Sequence, residues 1–143
     1  MFDLDDCVAY IINKSAKQLS ARLEQRLMCY NVTRIQWTAM YYVDKNEGIT
    51  QKGLAEKMYL REPTVARLLD RMEAEGLLER EFCINDKRSK HITLTEKGKF
   101  LNNKLTDIAE VFKNDAIEGI KTEELAIFKT VVDQMLANTK TDT

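Results

Sequence analysis

The sequence is short of cysteine, histidine and proline, with three, one and one in 143 residues. Cys7, Cys29 and Cys83 are odd in number, far apart and free of any CxxC pairing, so neither a disulfide framework nor a zinc site is supported, and free thiols in a reducing compartment are expected. The lone His91 has no carboxylate or cysteine pattern beside it and reads as a surface residue. No Ser/His/Asp arrangement, HExxH motif or Gly-rich phosphate loop is present, which leaves no catalytic residue, metal ligand or cofactor to expect. A run of about 18 apolar residues, the least that spans a bilayer, is also missing. The N-terminal MFDLDDCVAY is acidic where a signal peptide needs a basic stretch ahead of an apolar one. These gaps point to a cytoplasmic, non-enzymatic protein with no membrane partner.

An excess of charge of either sign is missing as well, since the formal net charge is −1. Its distribution is uneven. Residues 50–100 hold eleven Lys and Arg against nine Asp and Glu. Within residues 84–99, Lys87, Arg88, Lys90, Lys97 and Lys99 face only Asp86 and Glu96. A basic cluster in a nearly neutral chain is an electrostatic footprint that the sum conceals.

What is present is helical periodicity. Over residues 4–30, Val8, Ile11, Ile12, Leu19, Leu23 and Leu27 recur at helical spacing, with Asp3, Asp5 and Asp6 at the positive dipole end and Arg22 and Arg26 toward the other. A second helix is announced by VTRIQW, where Thr33 and Gln36 make a capping box and Val32 and Trp37 occupy the positions of a hydrophobic staple. It carries Trp37, Met40 and Tyr41 until DKNEG breaks it. The same signature recurs at ITQKGL, with Thr50 as cap and Ile49 and Leu54 as staple. After a break near Tyr59, REPTVARLLDRMEAEG places Pro63 in a first turn and Gly76 at the C-terminal stop. Val65, Leu68, Leu69 and Met72 form the buried stripe of that helix, and Thr64, Arg67 and Arg71 fall on its opposite side.

Two short helices joined by a tight turn, the second presenting Thr and Arg near its start, match a helix-turn-helix whose second helix enters a major groove. The bland alternative is a solvated helix face. LLEREFCIND, with Leu78, Phe82 and Ile84 at even spacing, and HITLT, with Ile92 and Leu94, then read as two short strands. They flank a basic hairpin tip and complete a winged helix. Lys87, Arg88 and Lys90 would project from that tip toward phosphates or a minor groove.

The stretch DKRSKHITLTEKG (86–98) resembles the DxR…LTxxG wing of the MarR (multiple antibiotic resistance regulator) family, and TVARLLDRMEAEGLLER is similar to its recognition helix and first wing strand. The resemblance covers essentially the whole chain and implies a mainly α fold with a small β-wing: a winged helix-turn-helix flanked by N- and C-terminal dimerisation helices. It divides the chain into 1–32 (N-terminal dimerisation helix), 33–98 (DNA-binding domain) and 99–143 (C-terminal dimerisation helices). In such proteins the wing arginine enters the minor groove and the aspartate two residues earlier orients it, which here are Arg88 and Asp86. The DNA-binding set is then Thr50, Gln51, Arg61, Thr64, Arg67, Arg71, Asp86, Lys87, Arg88 and Lys90. Gly53 departs from the usual pattern, standing inside a helix at a cost of up to about 1 kcal/mol.

Two further amphipathic helices follow Thr95. One carries Phe100, Leu101, Leu105, Ile108, Val111, Phe112 and Ile117, the other Leu125, Phe128, Val131, Val132, Met135 and Leu136. A winged helix of this size cannot cover three long apolar stripes, so a homodimer is expected. The resemblance implies the same, together with a DNA-binding transcriptional regulator, a repressor, that binds a pseudo-palindromic operator and is released by a small effector. Similar regulators often bind an aromatic or phenolic anion between dimer helices and winged helix, which points to Tyr10, Trp37, Met40 and Tyr41. Some sense oxidants through an N-terminal cysteine, but the matching position falls nearer Ala9 than Cys7. The competing reading is a winged helix used only for protein contacts, which would have no need of a basic wing tip.

Overall fold

Helix α1 (Val8–Leu27) begins later than its apolar period suggests. The Asp3 carboxylate accepts the Asp5 N–H at 3.0 Å, and Cys7, extended at ψ 112°, caps the helix without a side-chain bond. A short aspartate that bonds the backbone two residues on favours a turn over a helix, so Asp3, Asp5 and Asp6 precede the first helical turn. A 3-10 turn (Met28–Tyr30) and a left-handed Asn31 then end the segment. The computed structural model describes residues 1–83 and 86–141, and at Cys83 and residues 86–89 it describes the backbone alone.

Helix α2 (Arg34–Lys45) starts on the expected capping box. Thr33 Oγ1 accepts the Gln36 N–H at 3.2 Å and Gln36 Oε1 accepts the Thr33 N–H at 3.0 Å. Val32 is buried ahead of the cap and Trp37 packs against the core, as a staple requires. The Gln36 amide nitrogen also donates to Glu75 Oε2 at 3.2 Å, which satisfies a buried polar group and joins the start of α2 to the end of α4 (Glu62–Ala74).

Helix α3 (Gln51–Met58) is capped by Thr50, whose hydroxyl accepts the Gly53 N–H at 3.0 Å. The out-of-pattern glycine has a local reason. A Cβ on Gly53 would stand 3.3 Å from both Ile49 Cγ1 and Thr50 Oγ1, the staple and cap atoms of the same turn. Tyr59, left-handed at φ 54°, ends α3, and the Leu60 N–H returns to Ala55 O at 3.0 Å. In α4, Pro63 lies in the first turn and Val65, Leu69 and Met72 are buried. Gly76, at φ +75°, turns the chain out of the helix.

Strands β1 (Leu78–Cys83) and β2 (Asp86–Leu94) pair antiparallel from Leu78–Leu94 to Phe82–Lys90. The register shifts between Phe82 and Cys83, whose partner is Asp86. The hairpin base is tied to the α2–α3 connection, because the Ile92 N–H donates to Ile49 O at 3.0 Å and Thr50 bridges His91. Leu77, Leu78 and Ile92 complete a core that also holds Leu27, Met40, Leu54 and Leu105.

Helix α5 (Glu96–Ile117) is set against this core by the LTxxG motif. Thr95 accepts the Gly98 N–H at 3.1 Å with the same hydroxyl that donates to Gly76 O at 2.6 Å. Its N–H donates to Leu77 O at 3.1 Å. Gly98 is buried so close to the Leu77 carbonyl that a Cβ would overlap it. The glycine is there for backbone approach.

The chain forms two compact units, Met1–Glu110 and Val111–Thr143, with the boundary inside α5. In the first, Val8, Ile11, Leu19 and Phe100 are exposed. The second contains α6 (Thr122–Asn138), which begins where the Glu124 carboxylate accepts the Lys121 N–H at 3.0 Å. Ile127, Phe128, Val131 and Leu136 of α6 are exposed apolar side chains. No helix among the described residues is long and apolar enough to cross a membrane. The result is the mainly helical winged-helix fold with a small two-stranded wing that the sequence suggests.

Candidate nucleic-acid interface

The helical period that buries Val65, Leu69 and Met72 leaves Thr64, Arg67 and Arg71 exposed on α4. Arg71 is partly engaged, its Nε donating to Glu75 Oε1 at 3.2 Å. Arg61, exposed, is the N-cap of the same helix and makes no side-chain cap bond. These four residues lie on one helix and its leading turn.

A second group meets in the angle between α3, α4 and the hairpin. Thr50, Gln51 and Lys90 line a cleft of about 420 Å³ with Lys52, Glu62, Ala66, Asp70 and Arg80. Thr50 spends its hydroxyl on the α3 cap. Lys90 stands over the Phe82 ring, 5.0 Å from its centroid. That cation–π contact partly covers Phe82, which is exposed although it shares the even spacing of buried Leu78. Asp86, Lys87 and Arg88 lie outside the residues whose side chains are described, as do Cys83 and Ile84.

Arg80 organises the cleft, and sequence reasoning overlooked it. From β1 its guanidinium reaches Asp70 at 2.5 Å, Glu73 at 2.6 Å and Gln51 at 3.4 Å. Burial pulls its pKa down, but the hydrogen bonds and charges of Asp70 and Glu73 outweigh this and hold the guanidinium above its ordinary value. No local pattern marks it, because Asp70 and Glu73 lie on the preceding helix and Ile92, opposite it in the register, on the other strand.

Around α2, Trp37 and Tyr41 form a tilted ring pair with centroids 5.9 Å apart, and Trp37 Nε1 donates to Thr106 Oγ1 on α5 at 3.2 Å. Met40 is fully buried in the core, whereas Tyr10 is exposed on α1. His91, which has no carboxylate pattern beside it in the sequence, has Glu81 as its cross-strand partner, 3.5 Å away. Only the strand register brings those two together.

A model of the MarR family matches residues 30–89. The crystal structure of transcriptional regulator PA3341 is 31% identical, with a TM-score of 0.82 over 92% of this chain and 97% of that one. MepR of S. aureus, solved as a DNA complex, is 25% identical with a TM-score of 0.86, covering 92% of this chain and 98% of its own. CouR from Rhodococcus jostii RHA1, solved with p-coumaroyl-CoA, shares the fold at 19% identity and a TM-score of 0.83, over 99% of this chain and 100% of that one.

Proposed function

The chain belongs to the MarR family of winged-helix, DNA-binding transcriptional regulators, and from that premise we propose that it is a repressor acting as a homodimer on a pseudo-palindromic operator. The observation that carries this reading is the two-sided α4: Val65, Leu69 and Met72 in the core, and Thr64, Arg67 and Arg71 exposed. Thr64 and Arg67 read base edges in the major groove, while Arg61 and Arg71 contact backbone phosphate. Asp86, Lys87, Arg88 and Lys90 form the wing contact, with Arg88 in the minor groove and Asp86 orienting it. Thr50 and Gln51, at the start of α3, complete the DNA-facing set.

The dimer follows from exposed apolar side chains at both ends of the sequence, which a second copy would cover. Residues 1–32 and 99–143 are the proposed dimerisation segments and 33–98 the DNA-binding domain. Two copies related by a two-fold axis present two α4 helices to half-sites about one helical turn apart. The regulator acts in the cytoplasm, where it meets DNA.

Release by a small aromatic or phenolic effector is the remaining part of the proposal. The Trp37–Tyr41 ring pair supports it, with exposed Tyr10 as a further lining residue and Met40 buried in the core against which Trp37 packs. The aromatic acyl group carried by the CouR ligand is of the same class. An effector releases DNA only by favouring a dimer with wrongly spaced α4 helices, so DNA and effector must weaken each other's binding. Selection of bound duplexes from a random pool tests the central claim. A two-fold symmetric motif is the expected product, and a pool without enrichment would reject specific DNA binding.

A further inference from the structure

We propose that the elbow between α3 and α4 is a phosphate-contact site in which Tyr59 donates its hydroxyl to the DNA backbone and Lys52 supports it by charge; this rests on the DNA-binding reading above. Among the described residues, positive φ occurs at Asn31, Gly48, Tyr59, Gly76 and Gly119. Glycine enters the left-handed region without steric cost and asparagine at a small one, but a bulky aromatic residue there is an outlier. The turn itself asks only for the backbone shape, which ends α3 and returns the Leu60 N–H to Ala55 O. Glycine would serve that purpose. Tyr59 is instead 97% exposed, so burial within the chain offsets none of the strain. Backbone strain under an exposed aromatic side chain points to a contact made outside the chain.

The position of the elbow selects the partner. Tyr59 stands two residues before Arg61, the N-cap of α4, and so beside the end of the helix whose first turns carry Thr64 and Arg67. When such a helix enters a major groove N-terminus first, the turn ahead of it lies over the flanking sugar–phosphate strand. An open cleft of about 620 Å³ is lined there by Lys52, Glu56, Tyr59 and Arg61, among others. Lys52 and Glu62 line this cleft and also the one that holds Gln51, Arg80 and Lys90. The two clefts adjoin, making a strip from the hairpin base to the elbow. Lys52 and Arg61 stand along it with Glu56 and Glu62, so the strip carries no excess charge and a neutral donor such as a phenol adds a phosphate contact beside the single Lys52 ammonium.

The test uses the full-length chain on its selected operator and on an unrelated duplex of equal length, at two salt concentrations. Tyr59→Phe removes the hydroxyl, and Tyr59→Asn removes the ring while tolerating the left-handed backbone. Both variants should bind both duplexes about three- to tenfold more weakly, the range of one neutral hydrogen bond. The salt slope should not change, because no charge is lost, whereas Lys52→Gln should flatten it by about one unit. Tyr59→Asn should melt no lower than the parent, which separates lost contact from lost fold. Parent-like affinity in both Tyr59 variants would overturn the site while leaving the DNA-binding reading intact. Loss confined to the operator, or to Tyr59→Asn alone, would overturn the phosphate-directed hydroxyl. A parent chain that binds neither duplex would remove the DNA-binding reading itself, and this site with it.

Discussion

Arg80 on β1 holds Asp70 on α4 through Nη2 at 2.5 Å. Its Nε meets Glu73 one turn further along the same helix at 2.6 Å. The wing strand and the helix proposed to read the major groove are thereby clamped together, and the weaker bond to Gln51 at 3.4 Å extends the clamp to the start of α3. A guanidinium suits this position because its donors are fixed in a plane and can serve two carboxylates at once.

Arg80→Met keeps the aliphatic stem and removes the fork. Asp70 and Glu73 are 66% and 44% exposed and can be rehydrated, so the expected loss is about 1–2 kcal/mol, below that of a fully buried pair. Arg80→Lys should recover only part of it, since a point charge cannot span both acids. Urea midpoints measure the effect, and equal midpoints for the parent and the Arg80→Met variant would mean that desolvation cancels the clamp.

Two helical glycines should respond unequally to alanine. At Gly98 the added Cβ meets the Leu77 carbonyl, which is backbone and cannot step aside. Gly98→Ala should therefore cost roughly 2–4 kcal/mol and disturb the Trp37–Thr106 bond, visible in tryptophan fluorescence. At Gly53 the new atom meets two side-chain atoms at 3.3 Å. The crowding there and a gain in helix propensity of up to about 1 kcal/mol nearly offset each other. A midpoint for Gly98→Ala equal to that of Gly53→Ala would refute the close-approach account of the LTxxG glycine.

Local chemistry made most of the fold legible in the sequence. The capping box at Thr33 and Gln36, the cap at Thr50, the proline start and glycine stop of α4 and its buried stripe all depend on neighbours within a few residues. The exposed Thr64–Arg67–Arg71 face was legible for the same reason. Arg80 was not, because Gln51, Asp70 and Glu73 meet it only after three elements pack. The Glu81–His91 pair needed the hairpin register. The late start of α1 followed from an Asp3–Asp5 turn that helical periodicity does not register.

On α4, the proposed recognition helix, Arg67 and Arg71 should differ. Arg71 is shared with Glu75 at 3.2 Å, whereas the base-reading role is assigned to Arg67, one turn nearer the N-terminus. Arg67→Ala should cost about 1–3 kcal/mol on the operator and less on an unrelated duplex, while Arg71→Ala should weaken both alike. Fluorescence anisotropy on the two duplexes decides it. Equal losses for Arg67→Ala would reassign that residue to phosphate.

The exposed apolar residues of α6 should make stability depend on protein concentration. Phe128 and Leu136 are 57% and 65% exposed in the single chain. Phe128→Asp would place a charge where the second copy is proposed to pack, and should raise the dimer dissociation constant at least tenfold with little change in helicity. Sedimentation from nanomolar to micromolar concentration reads this directly. A parent chain that stays monomeric at micromolar concentration would exclude the dimer.

The sharpest test of the wing concerns Asp86 and Arg88, two residues apart in β2. An acid near phosphates is repelled, so on charge alone Asp86→Ala should tighten binding. If its role is to hold the Arg88 side chain toward the minor groove, the same substitution should weaken binding, and orientation should win because a long unconstrained arginine loses rotamer freedom on docking. Arg88→Ala should lower affinity and reduce the salt slope by about one unit, as for one lost phosphate-region contact. The double variant should then bind like Arg88→Ala, since an orienting acid has nothing left to orient. A double-mutant cycle of operator affinity at two salt concentrations, with circular dichroism to confirm folding, separates these outcomes. Tighter binding by folded Asp86→Ala would end the orienting role, and unchanged binding by Arg88→Ala would take the wing tip out of the DNA contact.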